Sequence, residues 1–582
     1  ALGSASALRS VAAIAPTPSG NGYWAVGADG ALAAFGDAAD LGHPTGTLTK
    51  PIVGMAVLPA TASGATTGGT MNDTVVPGDP TPVTPPPVVT NLNKLYATAS
   101  LDGTIGTRPQ VMLDPSHPFR EVCDQKPCTE SNANYAEEIR TFALVGNRLF
   151  VGGFIHGLLD ASTGGSKGTK IFDEIEYLVE LDATTGKVAS DLTFTRNASP
   201  DATVEGMEVS PDGQTLYISG RFTRAGGGPS PMFAALELNG PRAGLLVEGW
   251  NPSRPKGGSV HDIALAGDRL FLGGAFTDID GKTQWTKVAA VDARTGKLIE
   301  DWVAPPIGGS YVDRAGTPTE GEAGMVNAVE VIGPYVVVGG EFLHAGPDAL
   351  NWPAGKYDAH GGLTVLNVSD GKIADWRPRN DRPAFQIRLS PDKSFVCAAV
   401  GGQGGGVTCL RPGEEWPMFD TAKKPEWPDI TEHEKLDRRI AHVDGDALGV
   451  AITDKRVYLG GHFDVAEPDP DDPCLHKTPS QCFPPFSGPN ANTASDDTSR
   501  PHKHLVAYDY HGNIDESWTP QANTPEGPTT LLAGPNALYL GGNFTRLQVE
   551  HVGASCWPCE QKDWRAKELI FHPGFAIFPA IP

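Results

Sequence analysis

Short runs of alternating apolar and polar residues recur along most of the chain, separated by glycine-rich turns. Alternation with a period of two marks a strand buried on one face. One unit repeats: an apolar strand, a turn, a strand closing on Gly-Gly-x-Phe, a polar loop, then a third strand ending in Thr-Gly-Lys or a relative of it, often followed by Trp-x-Pro. The second strand reads RLFVGGF at 148–154, LYISGRF at 216–222, LFLGGAF at 270–276, VVVGGEF at 336–342, VYLGGHF at 457–463 and LYLGGNF at 538–544. The closing Phe residues fall at 154, 222, 276, 342, 463 and 544, in steps of 68, 54, 66, 121 and 81. The long step hides a degenerate copy, SFVCAAVGGQGG at 394–405, which keeps the strand and glycines but lacks the Phe. That makes seven copies.

Third strands follow at 178–187, 287–297, 363–372 and 505–513, and Trp250, Trp302, Trp376 and Trp518 come after the fourth. Three or four short strands per copy, without helices between them, predict an all-β chain: a seven-bladed β-propeller with large loop insertions. Glycine pairs at strand ends predict close backbone approach or unusual φ, and the Phe is expected to pack between blades. The segment 574–581 reads as the third strand of the last copy, and LYATASLDG at 95–103 can supply its outer strand. Such a joint removes two exposed edges, so a ring over 93–582 closed by an N-terminal strand is predicted. One helix is expected, over 428–442.

Residues 1–92 differ in character. A Pro-rich tract, PGDPTPVTPPPVV at 77–89, predicts an extended linker over 77–92. Before it, 1–76 reads as a small β-meander. Gly22-Tyr23-Trp24, Asp29-Gly30, Phe35-Gly36-Asp37 and Pro51-Ile52-Val53-Gly54-Met55-Ala56 resemble the GYW-type repeats of secreted actinobacterial proteins. The main body resembles secreted bacterial propellers of the GG-x-F / TG-x-W-x-P kind. That resemblance implies a fold, and the family carries no single activity. A lone GYW-type copy buries little core, so it is expected to dock on its own ring or on a neighbouring chain, giving a homo-oligomer or filament through the tail.

Composition narrows the class. Of 582 residues, 70 are Gly and 51 Pro, and much of that sits in the strand-end pairs, the Trp-x-Pro segments and the Pro tract. The net charge of −24 disfavours nucleic acid and anionic membranes as partners. No run approaches the length of a membrane span. Eight cysteines form four close pairs: Cys123 with Cys128, Cys397 with Cys409, Cys474 with Cys482, and Cys556 with Cys559. Local even pairing reads as loop-stapling disulfides in an oxidising, extracellular compartment. Redox chemistry or zinc binding at Cys556-Trp-Pro-Cys559 are the competing readings, though no βαβ pattern and no second metal pair accompanies it.

In a propeller the first strand of each blade lines the axial channel. Aligning those strands gives Arg140, Glu205, His261 with Asp262, Asn327, Gln386, Gly449 and Thr530. The residue after the glycine pair adds Arg221, Glu341, His462 and Asn543. Such a ring suits a polar ligand or a cation, and equally the ordinary wetness of a channel. No Walker loop or haem motif is present. The acidic stretch with Asp469, Asp471 and Asp472 beside Cys474 and Cys482 offers hard oxygen ligands to Ca²⁺, with His502 and His504 nearby. Asn-x-Ser/Thr sites occur at Asn197, Asn367 and Asn543. The leading expectation is a secreted cell-surface binding or assembly propeller that recognises protein or glycan. The alternatives are an extracellular polysaccharide hydrolase or lyase with its site at the channel mouth, and a quinone-dependent oxidoreductase. If all eight cysteines are paired, alkylation of the denatured, unreduced protein labels none of them; any labelled cysteine breaks that reading.

Overall fold

The computed structural model describes residues 11–16, 23–27, 32–35 and 111–113, and most of 138–579; within the latter it leaves out 161–168, 173–175, 310–323, 420–439, 467–503, 523–526, 549–568 and a few single positions. The chain divides into two compact units, Ala1–Thr84 and Pro85–Pro582. In the first, Val11–Pro16, Tyr23–Gly27 and Leu32–Phe35 form an antiparallel meander. The segment 95–103, the Pro tract, the docking of the tail, and the cysteine pairs other than Cys397 with Cys409 lie outside the described residues, as do Asp469, Asp471 and Asp472.

The second unit is all-β. Its described residues contain seven antiparallel sheets that repeat one plan. The inner strands are Glu138–Val145, Val204–Val209, Val260–Ala266, Met325–Ile332, Ala384–Leu389, Asp446–Ile452 and Pro528–Ala533. Each pairs with a middle strand that carries the glycine motif, and each middle strand pairs with an outer one. The fourth strand shrinks in five sheets to a single bridge before the Trp segment, such as Val291 with Leu298. Phe575–Pro579 is the outer strand of the seventh sheet. Ala441–His442 is a strand, paired with Gly406–Val407, although it belongs to the segment expected to be helical.

The apolar core is divided. Each of seven buried clusters joins two consecutive sheets, and the last joins the seventh sheet to the first. In that closing cluster Phe142 of the first sheet meets the rings of Tyr539 and Phe575 of the seventh, at centroid distances of 6.4 and 5.9 Å. Tyr539 also donates its hydroxyl to the Ala183 carbonyl at 3.0 Å, and Tyr217 makes the same bond to Ala293 two junctions later. The inner strands touch in sequence order, and Pro528–Ala533 returns to Glu138–Val145.

Every inner strand carries a register shift near its start, at Arg140, Glu205, His261, Asn327, Phe385, Leu448 and Thr529. Such a bulge pushes the backbone toward the partner strand, and this explains the glycine pair. A Cβ on the second glycine would meet a carbonyl at the start of the inner strand or just before it: Glu138 O at 2.1 Å from Gly153, Met325 O at 2.1 Å from Gly340, Gly527 O at 2.4 Å from Gly542. A Cβ on the first would meet the next sheet, as Gly273 does Val329 and Gly541 does Ile139 and Phe142. Close approach is therefore the reason. Unusual φ is not, since apart from Gly461 and, in the degenerate copy, Gly402 these glycines have ordinary backbone angles.

Pairing also corrects the first copy. Glu138 pairs with Phe154, whereas Asp446 pairs with His462 and Met325 with Glu341. Phe154 thus stands in the column of the variable residue, and Ile155 takes the place of Phe222, Phe276, Phe342, Phe463 and Phe544. All six are buried. The Trp residues fill the same junctions; Trp302 is fully enclosed and donates Nε1 to the Asn367 carbonyl of the following sheet at 3.1 Å. Gly340→Ala and Gly541→Ala are each expected to cost about 1–3 kcal/mol through forced backbone shifts, and Trp302→Ala about 3–5 kcal/mol, read by urea unfolding. Losses below about 0.5 kcal/mol, the size of an ordinary surface change, would show that these columns do not set the packing.

Candidate functional site: the mouth and wall of the inner-strand channel

The bulge residues of four consecutive sheets, Arg140, Glu205, His261 and Asn327, stand at one level, and Arg221 and Glu341 join them from the ends of the middle strands. Glu205 is their hub. Its Oε1 accepts from Arg140 Nη1 and Arg221 Nε, both at 2.9 Å. Its Oε2 is buried, lies 3.8 Å from His261 Nε2, and has no hydrogen-bond partner among the described residues. Arg140 also donates Nε to Glu138 Oε2 at 3.0 Å, and Thr529 of the seventh sheet donates its hydroxyl to Glu138 Oε1 at 2.8 Å. Neither Glu138 nor Thr529 stood in the sequence-derived column. Thr529 is the bulge residue one place before the aligned Thr530, and its chemistry is visible only once the register is known.

Burial raises the Glu205 carboxyl, but His261, Arg140 and Arg221 outweigh it and hold the group below its usual range. Glu341 goes the other way. Burial pushes it up, and Asp446 adds like-charge repulsion, against the hydrogen bond from Asn327 and the pull of His261. Two carboxyls on either side of one imidazole are therefore biased toward opposite protonation states.

Gln386 belongs elsewhere. The bulge residue of its sheet is Phe385, and that of the sixth sheet is Leu448, so the aligned Gln386, Gly449 and Thr530 are all one place past the mouth. There Gln386 Oε1 accepts from Val450 N at 2.7 Å and its amide donates to Thr530 Oγ1 at 3.0 Å. Asp262 does the same at its own junction, accepting from Val329 N at 3.1 Å. An inner strand leaves amide hydrogens unpaired along its free edge, and these side chains satisfy them from the preceding sheet. His261 and Asp262 thus face different partners and form no dyad. His462 is exposed, its ring lying parallel to that of the buried His504 at 6.2 Å, and His504 Nδ1 bonds the Gly461 carbonyl at 2.8 Å. Asn543 is only 5% exposed, and the Asn197 amide donates to the Ala243 carbonyl, so neither presents a free glycosylation acceptor.

One level below the mouth lies a second group that sequence reading did not single out. Glu208, Asp262 and Glu330 share it with one cation, Arg388. Glu208, Glu330 and Arg388 each sit three residues past the bulge, a spacing that needs the bulge position to be recognised. Glu330 Oε1 accepts from Val331 N at 3.0 Å. Burial is the main cause in each case: it raises Asp262 to about 6 and Glu330 to about 7, with Arg388 opposing, and places Glu208 well above the usual carboxylate range. Among the described residues no group of three His, Cys, Asp or Glu side chains has the geometry of a metal site.

No family model and no curated protein matches the chain. Solved structures with which it shares similarity include the RRP9 WD40 repeats, at 10% identity over 77% of this chain and 96% of that one, with a TM-score of 0.38. The β-propeller domain of Myceliophteria thermophila Cps50 (Swd1) matches at 12% identity over 70% and 95%, with a TM-score of 0.34. Likeness at this level carries no argument, so the reading rests on this chain's own sheets and side chains. Cys397 and Cys409 are disulfide-bonded across adjacent strands of the fifth sheet. No described helix is long and apolar enough to cross a membrane.

The lower group makes a prediction about pH. A carboxyl whose folded pKa exceeds its unfolded value binds more protons in the folded state, so stability falls as pH rises. For Asp262 and Glu330 that loss spans the window from about 4 up to about 6 and about 7. Asp182, Asp292 and Asp509, held low by turn hydrogen bonds that outweigh burial, lose their contribution only at more acid pH. The melting temperature is therefore expected to rise between pH 8 and pH 5, and Glu330→Gln to flatten that slope. An unchanged slope in the variant would contradict the assignment.

Proposed function

We propose that this chain is a secreted binding or assembly module whose residues 93–582 form a seven-bladed β-propeller with large loop insertions. The repeated sheets, the junctions that run round to the first sheet and the bridged cysteines support this reading. The observation that carries it is the Glu205 hub. Its groups are tied to one another at the strand ends, as in a preformed recognition surface. The ligand is a protein or glycan of a cell surface. The resemblance of the N-terminal segment to secreted actinobacterial repeats supports a bacterial envelope as that surface, with 1–76 as the docking element and 77–92 as its linker. The acidic stretch with Asp469, Asp471 and Asp472 is a candidate Ca²⁺ site within the same proposal.

One observation favours a second reading. Glu205 is biased toward the ionised form and Glu341 toward the protonated form, with His261 acting on both. Carboxyls driven apart in this way are the raw material of general acid–base catalysis on a glycosidic bond. Under that reading Glu341 is the acid and Glu205 the base or nucleophile.

Binding of the full chain to purified bacterial envelope fractions, followed by product analysis, separates the two. The module predicts retention on the fraction with no new reducing ends. The enzyme predicts new reducing ends, lost in Glu341→Gln. Neither retention nor cleavage would overturn both.

A further inference from the structure

At the channel mouth two hydrogen-bond acceptors converge without a protein donor between them. His261 Nδ1 lies 2.8 Å from the Val326 carbonyl. A carbonyl can only accept, so Nδ1 carries the hydrogen, and in the neutral ring Nε2 is left as a lone pair. That nitrogen stands 3.8 Å from Glu205 Oε2, too far for a direct hydrogen bond in either protonation state. Oε2 belongs to a side chain 95% buried, because only 5% of it is exposed, and it has no hydrogen-bond partner among the described residues. An unsatisfied carboxylate oxygen is costly to bury, so the arrangement calls for a donor from outside the chain.

The surroundings limit what that donor is. Arg140 and Arg221 flank Glu205 and are cations, which disfavours an ammonium ligand or a metal ion. Arg221 is bound to Glu205 only through Nε; 59% of its side chain is exposed, and among the described residues its terminal amines make no hydrogen bond. A ligand here must donate twice, to Oε2 and to Nε2, and accept from a guanidinium. A neutral vicinal diol meets all three demands. Its two hydroxyl hydrogens diverge toward acceptors spaced like this pair, and its oxygens retain lone pairs for Arg221. Phe385 and Leu448, the bulge residues of the fifth and sixth sheets, add apolar surface to the same level of the channel, which suits the C–H face of a sugar ring.

We propose that Glu205 Oε2 and His261 Nε2 form a recognition site for a vicinal diol of a neutral carbohydrate, with Arg221 donating to the diol oxygens. The proposal rests on the binding reading above and names its ligand class. It assigns a positioning role to Val326, whose carbonyl fixes the His261 tautomer.

The test is titration calorimetry of the full chain with methyl α-mannoside, which carries vicinal hydroxyls, and with its 2,3-dideoxy analogue. Binding with a Kd on the order of millimolar is expected for the first, and at least tenfold weaker binding for the second. Arg221→Ala should weaken binding at least fivefold, with circular dichroism reporting that the fold is retained. Glu205→Gln should abolish binding, and its circular dichroism reports whether the fold survives. Equal affinity for both sugars, or unchanged affinity in Arg221→Ala, overturns the site. If no sugar binds while the protein is still retained on envelope fractions, the diol site falls and the binding reading stands. If neither occurs, both fall.

Discussion

The structure depends on a single steric constraint, the bulge near the start of each inner strand. One extra residue there drives an inner-strand carbonyl into the space where the middle strand would carry a Cβ. In six of the sheets that place is a glycine, since a Cβ on Gly153, for one, would stand 2.1 Å from Glu138 O, while in the fifth Val400 holds it, opposite Ala384. The neighbouring glycine is emptied for a different reason, to let the next sheet's inner strand pack against the backbone. One dipeptide therefore fixes the pairing register within a sheet and the contact between sheets. The bulge residue itself is turned out of the regular alternation, and this is how Arg140, Glu205, His261 and Asn327 come together from sheets far apart in sequence.

The polar groups follow a division of labour set by that geometry. Residues at the bulge meet one another at the mouth. Residues one place on, Asp262 and Gln386, cap free amide hydrogens of the following strand. Residues three places on, Glu208, Glu330 and Arg388, face one another deeper in the wall, and with Asp262 they set three acids against one base. The junctions outside the channel are filled mainly by the Phe and Trp columns, with the Arg148–Glu180 pair as a charged exception between the first and second sheets. This arrangement gives a rigid frame with a polar interior rim, which is why recognition chemistry is concentrated at Glu205.

Much of the frame was legible in the sequence, because its causes are local and repeated. The strand alternation, the glycine pairs, the turn Asp residues and the degenerate copy at 394–405 each reflect a constraint acting within a few residues. The site was only half legible. Arg140, Glu205, His261 and Asn327 were correctly aligned, each a polar residue at its bulge, whereas the fifth and sixth sheets place the apolar Phe385 and Leu448 there. Gln386, Gly449 and Thr530 were set one place off, since a bulge shifts the side-chain period by one and leaves no composition signal. The same blindness hid Phe154 standing in the variable column with Ile155 behind it. Glu138, Thr529, Glu330 and Arg388 were invisible for a further reason: their partners lie on other sheets, and Thr529 is 391 residues from Glu138.

The central claim is that the seventh sheet closes on the first through Gly541, Phe142, Tyr539 and Phe575, making one cooperative ring. Native-state hydrogen exchange of inner-strand amides tests it most directly. A closed ring predicts that the slowest amides of the first and seventh sheets, including Phe142 and Leu531, exchange with the same free energy and denaturant dependence as Ile263 and Val329 in the middle of the series. Exchange of the two end sheets at a distinctly lower free energy, with the central sheets still protected, would contradict it.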